Sequence, residues 1–534
     1  MSRAKFGAAL AIGILCIIGI IVLGTMMYMT YTKHEQALKY LDLGVKYVNL
    51  ELDAFGNGNA SAALSYFHEA VKYLTEAIKL DPNLGIAYYD LCVAYGNDGF
   101  FHHYYKLPND TSFLQAIPWY KRHTCDHCIP GPYAPQYPGY KWMKLAQMAF
   151  EKALYYCNLC IKKFPNIAPL CYAQLGAIYY DYCDNFTCRQ KYVLHYLYKA
   201  LEYKNVIEKY AGAYGLAAVY QNIARTYLAM AEPWKAVIFY NKSIHLYPID
   251  TAVEHIMWAL IDLGKWKETY RWSLYYIHKW SYEADLGLMP GAVATFYLGW
   301  ACYENDTYSC MMKWWRISLN FCNTIITKFG PSSDYYGEAC RLKSLIEFYL
   351  AQWYIRHGEK KKGLELLETA YKALETDVKE MTEHIKCPGT PAEVPPSYYE
   401  RALAYYYMSI IDQYFNNTAK AIQELKLAIR DLKWLIDHPV FTNREVAHRN
   451  YYILGFIGLA GVYIRLYYLT HNATYLTLAK NVLTKLQHVL FTNPELQGWK
   501  MFFERKYGTN IAEGLYEKIL QFKGVPVYFG VLEH

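Results

Sequence analysis

Cys125 and Cys128 lie in "HTCDHCIPGPY" (residues 123–133), flanked by His123 and His127, and their spacing allows three chemistries. A Cys-x-x-Cys pair with one lowered pKa is a redox dithiol. Two thiolates beside two imidazoles are also a partial zinc ligand set, and a second pair, Cys157 and Cys160, could complete it. The same sulfurs could instead be halves of structural disulfides. A redox pair needs a strand leading into a helix N-terminus, whereas this one runs into "IPGPYAPQYPG" with no strand pattern. The 28 residues between Cys128 and Cys157 exceed zinc-ribbon spacing. Disulfide use is therefore the leading reading, with metal ligation and redox work as alternatives.

Other catalytic signatures are absent. "HEAVK" (68–72) lacks the second histidine of a zincin, and there is no Gly-x-Ser-x-Gly elbow or phosphate loop. His102 and His103 sit in an aromatic stretch, and the glycines of "AGAYGLA" open a helix with no strand before it. No catalytic residue, metal or cofactor is implied, and the chain is not expected to be an enzyme.

The compartment decides what the cysteines do. Residues 6–32 carry no charge, and "AALAIGILCIIGIIVLG" is long enough to cross a bilayer as a helix of roughly 20 residues. Arg3 and Lys5 precede the run and no small-residue cleavage site closes it, which predicts an uncleaved signal anchor with residues 1–5 cytoplasmic and the rest outside. Seven glycosylation sequons begin at Asn59, Asn109, Asn185, Asn241, Asn305, Asn416 and Asn472, against roughly two or three expected by chance. Of 14 cysteines only Cys16 lies in the apolar run, leaving an odd number beyond it. Such usage fits an oxidising compartment. With 54% hydrophobic and 19% charged residues the chain is not disordered, and its net charge of +7 forms no basic block suited to nucleic acid.

The elements that position these residues are helices. Helical periodicity is broken every 14–20 residues by Gly, Pro and Asn. In "AAVYQNIARTYLAMAEPWKAVIFYNKSIHLYPID", Tyr220, Ile223, Ala224 and Tyr227 mark one helix, Ala236, Tyr240 and Ser243 the next, and Pro248 its end. The same spacing recurs at Leu350, Ala351, Tyr354, Gly358, Gly363, Leu367 and Ala370, and at Ala70, Leu74, Ala77 and Pro82. This alternation resembles the tetratricopeptide repeat, in which small residues let two antiparallel helices approach while large ones fill the flanks.

That resemblance implies an all-α, right-handed solenoid of about eight helix pairs. It would span 33–385 with an insertion at 100–140, a Pro-rich linker at 386–399, a C-terminal block at 400–498 and a capping tail at 499–534. Repeats near 251–280 and 400–439 are degenerate. In this register Cys92 takes the small slot of Gly44 and Ala224, Cys157 the slot of Leu74 and Tyr240, and Cys160 that of Ala77 and Ser243. Cys92 is thus expected to meet Cys157 or Cys160, and Cys322 is expected in the slot of Cys157. Cys183 with Cys188 and Cys302 with Cys310 bracket sequon loops as local staples, and Cys171, Cys340 and Cys387 complete the disulfide candidates. The resemblance also implies a groove for protein partners, with Tyr89, Gln221, Arg225, Gln352 and Arg356 as candidate contacts. The expected function is an anchored cell-surface scaffold binding other proteins. The alternatives are a layer or filament of self-associating copies, and a redox factor using Cys125 and Cys128.

Overall fold

In the computed structural model the described residues are 3–56, 59–105, 138–182, 188–330, 333, 335–386, 394–438 and 451–521. They are all-α and fall into two compact units, one of the described residues up to 178 and the other of those from 179 onward. Cys125, Cys128, Cys183, Cys387, Asn109, Asn185 and the segment 522–534 lie outside the described residues.

The first unit contains α1 (Arg3–Gly56), α2 (Ala60–Leu80), α3 (Gly85–Tyr105), α4 (Pro138–Lys163) and the start of α5 (Ala168–Tyr182). α1 packs with α2, and α3 with α4. Ala70, Leu74 and Ala77 are fully buried on α2. A Cβ on Gly44 would lie 2.6 Å from Leu74 Cδ2, so only glycine lets the α1 backbone come this close. Packing of α1 begins at Ala37, which is fully buried, whereas residues 21–36 are all exposed.

In the second unit, α6 (His195–Leu201) follows a π-turn and leads to α7 (Lys204–Ala229), which is kinked at Gly212. Then come α8 (Pro233–Leu246), α9 (Asp250–Asp262), α10 (Trp266–Lys279), α11 (Ala284–Glu304) and α12 (Tyr308–Thr324). They are followed by α13 (Tyr336–Arg356), α14 (Lys360–Lys386), α15 (Val394–Tyr414), α16 (Thr418–Asp437), α17 (Tyr451–Thr470) and α18 (Thr474–Thr492). Each odd-numbered helix from α7 to α17 packs against the helix after it, giving a tetratricopeptide-like series of helix pairs.

Five consecutive pairs share one turn. Ala231, Gly264, Asp306, Gly358 and Asn416 take positive φ of 56°, 66°, 52°, 87° and 60°, which ends the first helix of each pair. The next residue's N–H then bonds back to the carbonyl of Tyr227, Leu260, Cys302, Tyr354 or Asp412 at 2.8–2.9 Å. This left-handed cap satisfies carbonyls that would otherwise be orphaned and reverses the chain identically each time.

Counted from these turns, the same three positions of every second helix are buried. They are Ala236, Tyr240 and Ser243 on α8, Met311, Trp315 and Ser318 on α12, and Gly363, Leu367 and Ala370 on α14. The Ser243 hydroxyl donates to the Ala217 carbonyl at 2.8 Å, and the Ser318 hydroxyl repeats the contact with Ala292 at 2.7 Å. This register corrects the expectation for Cys322. Trp315 fills the slot of Tyr240, its indole N–H donating to the Phe296 carbonyl at 3.0 Å, and Cys322 lies seven residues further along. The degenerate α9–α10 repeat keeps the fold by exchanging sizes, because Ser273 takes the large slot and Tyr276 the small one. The space comes from α11, where Gly291 faces Ser273 and Gly287 faces Tyr276.

In the region expected to form a capping tail (499–534), the segment 497–521 is helical. It forms two further helices, α19 (Gln497–Tyr507) and α20 (Ile511–Gln521), and α20 packs on α17 and α18. Ile511, Leu515 and Ile519, all fully buried, supply its apolar stripe and cover the core there.

Candidate functional site: the first-helix face and the cysteine seams

The first helices of successive pairs in the second unit carry a run of cationic, phenolic and amide groups. Arg356 on α13 is exposed, with its guanidinium 4.6 Å from the centre of the Tyr303 ring of α11. The Tyr303 hydroxyl donates to Gln352 Oε1 at 3.2 Å. Burial pushes that hydroxyl up to about 12, opposed by the Arg356 charge. Gln352 also hydrogen-bonds Tyr414 of α15, and Arg465 of α17 donates to Gln413. Four helices thus contribute Tyr303, Gln352, Arg356, Gln413, Tyr414 and Arg465 to one continuous patch.

A second group lies nearer the start of this unit. The Tyr180 ring receives the guanidinium of Arg225 at 4.6 Å and that of Arg189 at 5.6 Å. Gln221 is buried and donates to the Thr251 hydroxyl at 2.6 Å, so its amide is committed to joining α7 to α9. Burial lowers the His255 imidazole to about 4, helped by the nearby Arg225 charge, so the ring is neutral at physiological pH. The Tyr335 hydroxyl donates to Glu254 at 2.9 Å. These groups pair with one another. The face presents guanidinium, phenol and amide groups, the kinds of group that hydrogen-bond carbonyls or carboxylates.

Of the groove candidates read from sequence, Gln352 and Arg356 fall in the first patch, and Gln221 and Arg225 in the second. Tyr89, in the first unit, is half-buried with its hydroxyl pushed upward by burial, beside Asp90, Cys171 and Cys160. Tyr303, Tyr414 and Arg465 were missed by sequence reasoning. A signal existed for Arg465, because "VYIR" (462–465) repeats the "WYIR" of 353–356. Arg465 also precedes His471 by six residues, as Arg225 precedes Ala231, and both turn residues have positive φ.

The cysteines occupy seams and turns. Cys92 on α3 is disulfide-bonded to Cys157 on α4 with Cα atoms 5.4 Å apart, joining the small slot of one helix to the large slot of the next. That bond removes Cys157 from any zinc set, and no group of three potential metal ligands occurs among the described residues. Cys302 and Cys310 are bonded across the α11–α12 turn, and Cys188 is also disulfide-bonded. Cys160, Cys171, Cys322 and Cys340 are free thiols.

The five described sequon asparagines, Asn59, Asn241, Asn305, Asn416 and Asn472, are all exposed. Four of them sit at the turn inside a helix pair, α1–α2, α11–α12, α15–α16 or α17–α18, and Asn241 is on the outer face of α8.

Two buried ion pairs fix this framework. Arg401 on α15 holds Asp431 on α16 through two bonds of 2.7 and 2.9 Å. Arg341 on α13 reaches Asp377 on α14 at 3.4 Å and Glu400 on α15 at 3.1 Å. Breaking such a pair strands a charge in the interior, at a cost of about 3–5 kcal/mol.

The architecture so defined is a helical-repeat protein built of tetratricopeptide-like pairs. No family model matches the chain, and no curated protein matches it. Among solved structures, it is similar to yeast Tom70, at 13% identity over 92% of this chain and 95% of the other, with a TM-score of 0.31. It is also similar to the human IFIT1 dimer with m7Gppp-AAAA, at 13% identity over 92% and 94% of the two chains, with a TM-score of 0.33. The tetratricopeptide domain of P58(IPK) is a third, at 13% identity over 83% and 98%, with a TM-score of 0.23. At TM-scores this low the likenesses add nothing to the helix pairing described above, which rests on the chain's own contacts.

Proposed function

We propose that the protein is a membrane-anchored scaffold that binds other proteins outside the cytoplasm, its repeats forming a right-handed solenoid whose first-helix face receives the partner. The observation that carries the anchoring is the start of α1. Residues 21–36 are exposed, and Ile21, Val22, Leu23, Met26, Met27, Tyr28, Met29 and Tyr31 are each at least half exposed. An apolar helix left bare on all sides is costly in water and at home in a bilayer. The turn positions of the sequons and the Cys92–Cys157 and Cys302–Cys310 bonds support an oxidising, glycan-bearing compartment.

The test is expression of the full chain in a eukaryotic secretory host. The protein should stay in membranes through alkaline carbonate extraction and shift in mobility on glycosidase treatment. A chain lacking residues 6–32 but given a cleavable leader should be secreted and should retain bound partners on co-purification. Carbonate-soluble, unglycosylated full-length protein would overturn the reading.

Self-association is the second reading, and one feature favours it. Tyr203, Tyr210, Tyr214, Ile238, Tyr247, Leu274, Tyr275 and Tyr282 are all exposed on or beside α7, α8 and α10. Ile244, Glu268, Arg271, Trp272 and Tyr275 line an open pocket of about 470 Å³ in that region. Concentrated aromatic anchors with Arg are a composition typical of protein interfaces. A chain that sediments only as large assemblies would favour this reading over the scaffold.

A further inference from the structure

Two free thiols in the first unit occupy one seam. Cys160 closes the last turn of α4 and Cys171 opens the first turns of α5, and both are fully buried. Their thiols are in hydrogen-bonding contact, and Cys160 Sγ also lies 3.8 Å from the Gly85 carbonyl at the start of α3. Three helix ends therefore converge on this pair of sulfurs. One turn earlier on α4, Cys157 is already bonded to Cys92. Around the pair stand the phenol of Tyr89 and the carboxyl of Asp90, which burial pushes up to about 7.

A reduced pair is a poor filling for this seam. A thiol is a weak hydrogen-bond donor and acceptor, and two of them in contact gain little from each other. The chain between them is short, and its backbone is already folded back by bonds from Phe164 N–H to the Cys160 carbonyl at 2.8 Å and from Ile167 N–H to the Phe164 carbonyl at 3.1 Å.

We propose that Cys160 and Cys171 form a second disulfide in the mature protein, stapling α4 to α5 beside the α3–α4 bond of Cys92 and Cys157. The inference rests on the oxidising compartment proposed above. The oxidant is a disulfide-bearing oxidoreductase or glutathione disulfide. One thiolate attacks its disulfide, forming a mixed disulfide and releasing one oxidant thiol. The second cysteine thiolate then displaces the other. Two electrons and two protons pass to the oxidant, and one S–S bond forms in the protein. Because burial shuts the finished seam to solvent thiols, the bond forms while the first unit is still folding and is afterwards kinetically protected.

The test is peptide mapping of full-length protein from a secretory host, quenched in acid and alkylated while unfolded without reductant. The expected result is a peptide pair joining Cys160 to Cys171, alongside pairs for Cys92–Cys157 and Cys302–Cys310. Alkylated Cys160 and Cys171 with the other two bonds intact would overturn the proposal and leave the compartment reading standing. All six cysteines alkylated would overturn both. Replacing Cys171 by Ser should leave Cys160 alkylated, keep Cys92–Cys157 and lower Tm by several degrees. Should C171S fail to fold, the wild-type map alone decides.

Discussion

Apolar stretches of α1 and α17 have opposite surroundings. In α17, Ile453, Ile464 and Ala460 are fully buried and Gly458 lies against the preceding helix. In α1, residues 21–36 are exposed, and His34 near their end pairs with Asp81 at 2.6 Å. Among the described residues, α17 is the helix whose length and composition would allow it to span a bilayer, yet it is the core of the second unit. Composition alone therefore does not distinguish a core helix from an exposed one. The distinction lies in punctuation and partners. α17 ends at the turn that precedes α18, and it carries Arg465, whose guanidinium donates to Gln413 of α15. The apolar part of α1 has no such polar insertion and no turn before residue 56.

The sharpest way to break this comparison is to place the same charge in both helices. Ile464→Asp buries an unpaired carboxylate at a fully buried site, and the cost should be ~4 kcal/mol or more, enough to unfold the second unit. Ile21→Asp, at a position 61% exposed, should leave the unfolding midpoint unchanged while weakening retention in carbonate-washed membranes. Urea denaturation of the detergent-solubilised protein reads the first effect, and fractionation reads the second. Equal loss of stability from both substitutions would show that α1 packs against protein.

A milder version uses glycine. A Cβ at Gly458 would come within 2.8 Å of Leu432 Cδ2, whereas at Gly24 it would meet nothing within 4 Å. Gly458→Val should therefore destabilise by about 1–3 kcal/mol through overpacking. Gly24→Val should change stability by less than about 0.5 kcal/mol. Thermal melts of the two variants side by side check the difference.

What the sequence revealed follows the same logic. Steric matching was legible wherever small and large residues kept their order, as at Gly44 with Leu74 or at Cys92 with Cys157, because backbone approach demands it. It failed for Cys322, where tryptophan at 315 does not look like the leucine or tyrosine of sister repeats although it fills the same volume slot. It blurred across α9 and α10, where Ser273 and Tyr276 exchange sizes and the compensation sits on α11, outside the repeat being searched. The proposed binding face was legible only in part. Arg225, Gln352 and Arg356 stood out within clean repeats. Tyr303 and Tyr414 come from different helices and become one patch only after stacking, which no single-repeat pattern encodes.

A pH-dependent effect is expected at a polar seam, the counterpart within the second unit of its apolar ones. Glu424 on α16 accepts from the Tyr371 hydroxyl at 2.7 Å and lies beside Asp412, with Lys420 the nearest cation at 3.8 Å from Asp412. Burial, with the Asp412 charge adding to it, raises the Glu424 carboxyl to about 8, above its ordinary value of 4.5. The sign follows directly. Between these two values the folded chain holds a proton that the unfolded chain has lost, so stability falls as pH rises from about 4.5 to about 8. Below that window both states are protonated and the seam carries no penalty. Above it both are ionised, and the folded state bears the full cost of a buried carboxylate beside Asp412. Glu424→Gln keeps an acceptor for Tyr371 and removes the titration. Its melting temperature should exceed that of the unsubstituted protein at pH 8 and converge with it near pH 4.5. Parallel melting curves for the two proteins across that range would show that Glu424 is already ionised in the folded chain, held so by Lys420.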